Sequence, residues 1–152
     1  MTHPNIVENE SDLADIVRSI QVVAVLGMKD ESEAHTPAFQ IPQMMKEHGI
    51  KVIPVNPRIR QALGIKAFPT LADVGERFDT NQFFRRSSKA TEHAQEILAL
   101  PPESRPKYAW MQTGVRNELA ALLLAEAGIK VVMDRCLGVY VSRYRTGGKR
   151  SS

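Results

Sequence analysis

The sequence predicts an α/β fold: one three-layer, Rossmann-like domain with an open, mainly parallel sheet and helices on both faces. Three observations predict it. Short apolar, β-branched runs alternate with segments of helical period from about residue 12 to residue 136, and such alternation implies a parallel sheet. The first run, Val22 to Leu26, ends at a single glycine, Gly27, as strands do where nucleotide-binding α/β folds enter their first helix. A chain of 152 residues has room for one sizeable core and for no second domain of ordinary size.

Each element has its own warrant. Asp12 to Ile20 reads as a short helix with Ser11 as its N-cap. Val22 to Leu26 is too short for a buried helix, and its β-branched content makes it an interior strand. A second helix opens at Thr36-Pro37, cap then proline, carries Ile41, Met44 and Met45, and stops at Gly49; Pro42 either kinks it or marks its true start. The strand I-K-V-I-P-V-N-P follows and must end by Asn56-Pro57. Thr70 to Asp73 is a short capped helix. Phe78 to Phe84 is the next strand despite the polar Thr80, Asn81 and Gln82, and Ser87-Ser88 caps a helix running to about Leu100. Lys107 to Thr113 makes a strand closed by Gly114, Asn117 to Ala127 a helix rich in Leu and Ala stopped by Gly128, and Lys130 to Cys136 the last strand. The stretches H-G-I-K-V-I-P-V and A-G-I-K-V-V-M-D repeat one helix-to-strand loop with glycine in a left-handed cap. The domain is expected to span 1–142, with a basic, mobile tail over 143–152.

Composition narrows the function. At 43% hydrophobic and 24% charged the chain is a globular protein, and a net charge of +3 is too slight to argue for nucleic acid. The N-terminus lacks the basic start and apolar core of a signal peptide, and no apolar stretch approaches a membrane span, so a cytoplasmic protein is expected. One cysteine, Cys136, rules out an internal disulfide, and four scattered histidines give no metal-ligand spacing. Cys136 stands beside Arg135 and is either reactive or, as is commoner, a packing residue.

The loop after the first strand departs from both common phosphate motifs. The dinucleotide fingerprint would need glycine where Lys29 and Ser32 stand, and the G-x-x-x-x-G-K-[ST] loop fails as well. In an open parallel sheet, ligands bind outside the carboxyl ends of the strands. Those ends read Gly27-Met28-Lys29, Asn56-Pro57-Arg58-Ile59-Arg60, Phe84-Arg85-Arg86, Gln112-Thr113-Gly114 and Asp134-Arg135-Cys136. Five of their six cations are arginine, whose fork matches a phosphate, so this edge reads as an anion site; a solvated edge with stray arginines is the alternative. NAD-binding folds place an acid at the end of the second strand. Arg58 stands there instead, which suits a phosphorylated ribose, as in NADP or coenzyme A.

Taken in order, V-A-V-L-G at 23–27, V-I-P-V-N-P at 52–57, P-T-L-A-D-V at 69–74, F-R-R-S at 84–87, Q-T-G-V-R-N-E at 112–118 and K-V-V-M-D-R-C at 130–136 resemble the CoA-binding domain proteins. These are small cytoplasmic Rossmann-like proteins similar to the CoA-binding domain of the succinyl-CoA synthetase alpha chain. The resemblance covers nearly the whole chain. It implies that Gly27, Met28, Lys29 and the following helix entry face the diphosphate, with Lys29 supplying charge where glycines are missing. It implies that Asn56, Pro57 and Arg58 lie near the adenosine phosphate, and that Phe84, Arg85, Arg86, Gln112, Gly114 and Val115 border the pantetheine path.

The expected function is therefore non-covalent binding of coenzyme A or an acyl-CoA, a small-molecule ligand, by a binding module rather than an enzyme. Ligase chemistry of the succinyl-CoA synthetase kind needs a phosphohistidine and an ATP-binding partner domain that a chain of this length does not hold. No nucleophile, base and orienting acid can be assembled by spacing. The alternative is an NADP-linked oxidoreductase or another nucleotide-binding Rossmann protein. Nucleic-acid binding through the basic tail ranks third because aromatic platforms are absent.

Overall fold

The computed structural model describes residues 3–145. Five helices, α1 (Glu10–Ser19), α2 (Pro37–Glu47), α3 (Ala90–Leu98), α4 (Glu118–Glu126) and α5 (Leu137–Tyr144), surround seven strands. The strands are β1 (Val22–Leu26), β2 (Lys51–Val55), β3 (Gln61–Ala62), β4 (Ile65–Lys66), β5 (Thr80–Phe83), β6 (Tyr108–Met111) and β7 (Lys130–Val132). Five of them form one sheet in the order β2-β1-β5-β6-β7, with every pairing parallel. The layers are the expected three. Alternate residues of the strands face opposite cores: Ala24, Leu26, Phe83 and Met111 pack against α3 and α4, while Val23, Val25, Trp110 and Val132 pack under α1, α2 and α5.

The polar strand β5 holds the middle of the sheet, and Thr80, Asn81 and Gln82 are fully buried. Burial of such groups demands partners. Thr80 Oγ1 donates to Asp79 at 2.7 Å, Asn81 Nδ2 to the Ala24 carbonyl at 3.3 Å, and Gln82 Nε2 to Gln112 at 2.9 Å. Asp79 also fixes the strand start, because its other carboxylate oxygen accepts the backbone N–H groups of Gln21 and Val22 at 2.9 and 2.8 Å.

Two prolines sit inside elements without ending them. Pro54 lies in β2, an edge strand, where a missing donor is tolerated. Pro42 lies within α2, and the Ala38 carbonyl it leaves unpaired accepts the backbone N–H of Lys29 at 3.2 Å, tying the loop after β1 to the helix. Gly49 and Gly128 have φ of +87° and +89°, as the repeated helix-to-strand loop predicts.

Three expectations are corrected and one unforeseen element appears. Helix α1 begins at Glu10 because Asn9, not Ser11, is its cap: Asn9 Oδ1 accepts the N–H of Ser11 at 2.9 Å and of Asp12 at 3.2 Å. The last strand stops at Val132, since Asp134 turns the chain with φ +59° and uses its carboxylate to accept the Gly114 N–H. Residues 61–66 form a hairpin turned at Leu63 and Gly64, both at positive φ. After β7 comes α5, so a tail boundary at 143 falls inside a helix. Arg145 then donates to the carbonyls of Val17, Arg18 and Ile20 at the end of α1. The tail expectation for 146–152 lies outside the described residues.

Candidate functional site

In the order β2-β1-β5-β6-β7 the chain winds one way from β1 to β2 and the other way from β5 onward, so the switch point lies between β1 and β5. Gly27 and Phe84 stand at that crevice, and two cavities open there, joined along Phe84, Arg85 and Arg86.

The first cavity, of about 650 Å³, is bordered by Gly27, Asn56 and Pro57 and by five cations: Lys29, Arg58, Arg85, Arg86 and Lys89. Lys29 lies 3.7 Å from Glu33, and Lys89 lies 3.5 Å from Glu92. Arg58, Arg85 and Arg86 form no salt bridge among the described residues. Arg85 is nonetheless near Glu96. Burial pushes the Glu96 carboxyl up, but hydrogen bonds from His93 and the Leu71 N–H, with the charges of His93 and Arg85, outweigh it and hold it below the usual carboxylate range.

The second cavity, of about 600 Å³, has a more apolar wall that includes Ile41, Phe84, Val115 and Cys136, with Gln112 and Gly114 beside them. Gln112 is held rigidly: its Oε1 accepts from Gln82 Nε2 and from the backbone N–H of Leu137, both at 2.9 Å. Ser87 bridges the wall from the side of α3, donating to the Gly114 carbonyl at 3.3 Å and accepting the Arg116 N–H at 2.9 Å.

The expected residues divide into three groups. Lys29, Pro57, Arg58, Phe84, Arg85, Arg86, Gln112, Gly114 and Val115 line one or both cavities with side chain or backbone. Asn56 borders the cationic cavity, but its amide is engaged in the fold: Nδ2 donates to the Met28 carbonyl at 2.8 Å, and Oδ1 accepts the Arg58 N–H at 2.9 Å. Met28 departs from expectation. Its side chain is fully buried in the core beneath α1, α2 and α5, so it faces no ligand.

Gly27 also differs in its reason. It has φ +82°, and a Cβ there would stand 2.6 Å from the Phe84 carbonyl oxygen and 2.7 Å from Arg85 Cδ. The approach that requires glycine is that of the β5 end, which lays the Arg85 stem over β1. Arg60 does not border the cationic cavity, whereas Lys89 and Ile41, which sequence reading left out, belong to the two walls. Lys89 could have been found as the cation one short turn beyond Arg86. Ile41 carried only the signal of an apolar helix face. Among the described residues no group of three or more metal-ligating side chains could hold a metal ion, and no helix is long and apolar enough to cross a membrane.

Comparison with known proteins agrees with this architecture. An uncharacterized protein of Bacillus subtilis, YneT, is 32% identical over 131 residues, covering 86% of this chain and 93% of that protein. The structure called cell-free ID.343 from Thermus thermophilus superposes with a TM-score of 0.80 at 34% identity, covering 90% of this chain and 99% of that one. A dinucleotide-forming acetyl-coenzyme A synthetase of Ca. Korarchaeum cryptofilum shares the fold over 78% of this chain and 27% of its own, with a TM-score of 0.61 at 20% identity. Residues 21–142 match the family model described as CoA binding domain, and the chain belongs to that family.

Proposed function

We propose that this protein binds coenzyme A, or an acyl-CoA, non-covalently at the β1/β5 crevice. The observation that carries the reading is the pairing of the two cavities. One is cationic, the other largely apolar, and they meet along Phe84 to Arg86. Coenzyme A has the same division, a triply phosphorylated nucleotide at one end and a slender neutral arm with a thiol at the other. In this reading Arg58 meets the ribose phosphate, Lys29, Arg85, Arg86 and Lys89 meet the diphosphate, and the arm runs between Phe84 and Val115 past Gln112. Family membership supports the ligand class. The protein then acts as a small-molecule binding module of the cytoplasm.

The test is calorimetric titration of wild type and Arg58→Ala with CoA, dephospho-CoA and NADPH. A charge-assisted contact contributes about 1.5–3 kcal/mol, so the loss of the 3′-phosphate or of Arg58 should each weaken binding about tenfold to a hundredfold. The two losses should not add, because they remove the same contact. NADPH binding tighter than CoA would favour an NADP-linked oxidoreductase. No binding at millimolar CoA would overturn the proposal.

A further inference from the structure

The only cysteine of the chain faces the apolar cavity. Cys136 is half-buried and is the N-cap residue of α5, in an extended backbone conformation and without a side-chain capping hydrogen bond, so its sulfur is not engaged in holding the helix. Gly138 stands two residues on, and a Cβ there would stand 3.6 Å from Cys136 Sγ and 3.0 Å from Ile41 Cδ1.

A second observation points independently to a ligand beside this sulfur. Gln112 lines the same cavity and is only 4% exposed. Its Oε1 is fully used by Gln82 and Leu137, while its Nε2 has no acceptor among the described residues and stays open to the cavity rather than sealed in the core. An amide fixed through its oxygen, with free N–H donors facing a cavity, suits a carbonyl of the molecule that fills it. The pantetheine arm carries two amide carbonyls and ends in a thiol, so an arm that satisfies Gln112 brings sulfur toward sulfur.

We propose that Cys136 is a thiol–disulfide exchange site selective for coenzyme A, an inference that rests on the CoA reading of the crevice. The co-reactant is CoA disulfide. The Cys136 thiolate attacks one sulfur of that disulfide, the existing S–S bond breaks, and a Cys136–CoA mixed disulfide forms. The second CoA leaves as a thiolate and takes up the proton that Cys136 released. No external oxidant or reductant enters the balance. The nucleotide end, held in the cationic cavity, confers the selectivity.

The experiment treats freshly reduced full-length protein with CoA disulfide or with glutathione disulfide at equal concentration and follows intact mass. One CoA per chain should add, about tenfold or more faster than glutathione if even one charged contact of the nucleotide is made. Dithiothreitol should remove the adduct, and Cys136→Ser, which keeps a good capping residue, should form none. No adduct, or equal rates with the two disulfides, overturns the exchange site. Calorimetry of wild type with reduced CoA under dithiothreitol separates the two claims. Saturable binding without an adduct overturns the exchange site alone, and the absence of saturable binding overturns the CoA reading itself.

Discussion

Replacing Gly27 with alanine tests how the crevice is built. The perturbation has two parts. A residue with Cβ at φ +82° costs about 1–2 kcal/mol in backbone strain wherever it occurs. At Gly27 the new Cβ would also stand 2.6 Å from the Phe84 carbonyl oxygen and 3.1 Å from its carbon. Those are backbone atoms of β5's continuation, which is tied to β1 by the Phe84 N–H donating to the Leu26 carbonyl at 2.8 Å. The Arg85 stem, 2.7 Å away, can swing aside, but the Phe84 backbone cannot. Overpacking of this kind costs about 1–3 kcal/mol, so Gly27→Ala should destabilise by about 2–5 kcal/mol in all.

Gly128 supplies the control. Its φ is +89°, nearly the same, yet a Cβ there would meet nothing within 4 Å. Gly128→Ala should therefore show the strain alone, about 1–2 kcal/mol. For a chain of this size each kcal/mol moves Tm by about 2–4 °C, so the two variants should melt about 2–12 °C apart by calorimetry. The clash also pushes on Phe84 and Arg85, which border both cavities, so Gly27→Ala should lose affinity for CoA while Gly128→Ala keeps it. Equal melting temperatures for the two variants would refute the close approach of β1 and the β5 end.

Asp79→Ala should cost about 1–3 kcal/mol in urea unfolding, since two backbone donors at the start of β1 lose their acceptor, and Asp79→Asn should cost less. Gln82→Met removes a buried carbonyl oxygen that has no partner among the described residues, so stability should hold or rise by up to about 1 kcal/mol despite the lost bond to Gln112. The Glu10 carboxyl is held below its usual range, chiefly by the Tyr144 hydroxyl and then by Arg143, which joins α5 to α1. A lowered folded-state value stabilises above the unfolded value of about 4.3, and that stability is lost as pH falls through the folded value. Melting curves from pH 7 to pH 3 should therefore fall less steeply below about pH 5 in Glu10→Gln than in wild type.

Alternation and punctuation made most of the fold legible. Thr36-Pro37 opens α2, Asn117 caps α4 with its side chain on the Ala120 N–H at 2.9 Å, and Gly49 and Gly128 close their helices. What escaped had no local signal. Helix α5 is short, contains Gly138 and two valines, and starts at a cysteine; its stability comes from Tyr140, Val141 and Leu137 packing under the sheet. The hairpin turn at Leu63 lacks the Asn-Gly pair that announces such turns. Resemblance, not periodicity, sets Met28 at the diphosphate. Alternation continued past Leu26 would set it in the core of α3 and α4, but with Gly27 in a left-handed conformation between them its side chain enters the opposite core.

The candidate site shows a sharper limit. The segments that follow the five parallel strands could be listed from the sequence, and the arginines among them marked an anion edge. Their division into two cavities could not be listed, because it depends on which ends are neighbours, and strand order is a property of long-range pairing. With β1 between β2 and β5, the ends carrying Lys29, Arg58 and Arg85 converge, and their charges add in one cleft. With β6 and β7 on the far side of β5, Gln112, Val115 and Cys136 converge with Ile41 of α2. Phe84 to Arg86 belong to both because β5 is the central strand. A permuted order would scatter the same cations along the edge, each screened by water and worth little to an anion. The arrangement that sets a cationic cavity beside an apolar one is thus written in the topology, one level above the residues that line them.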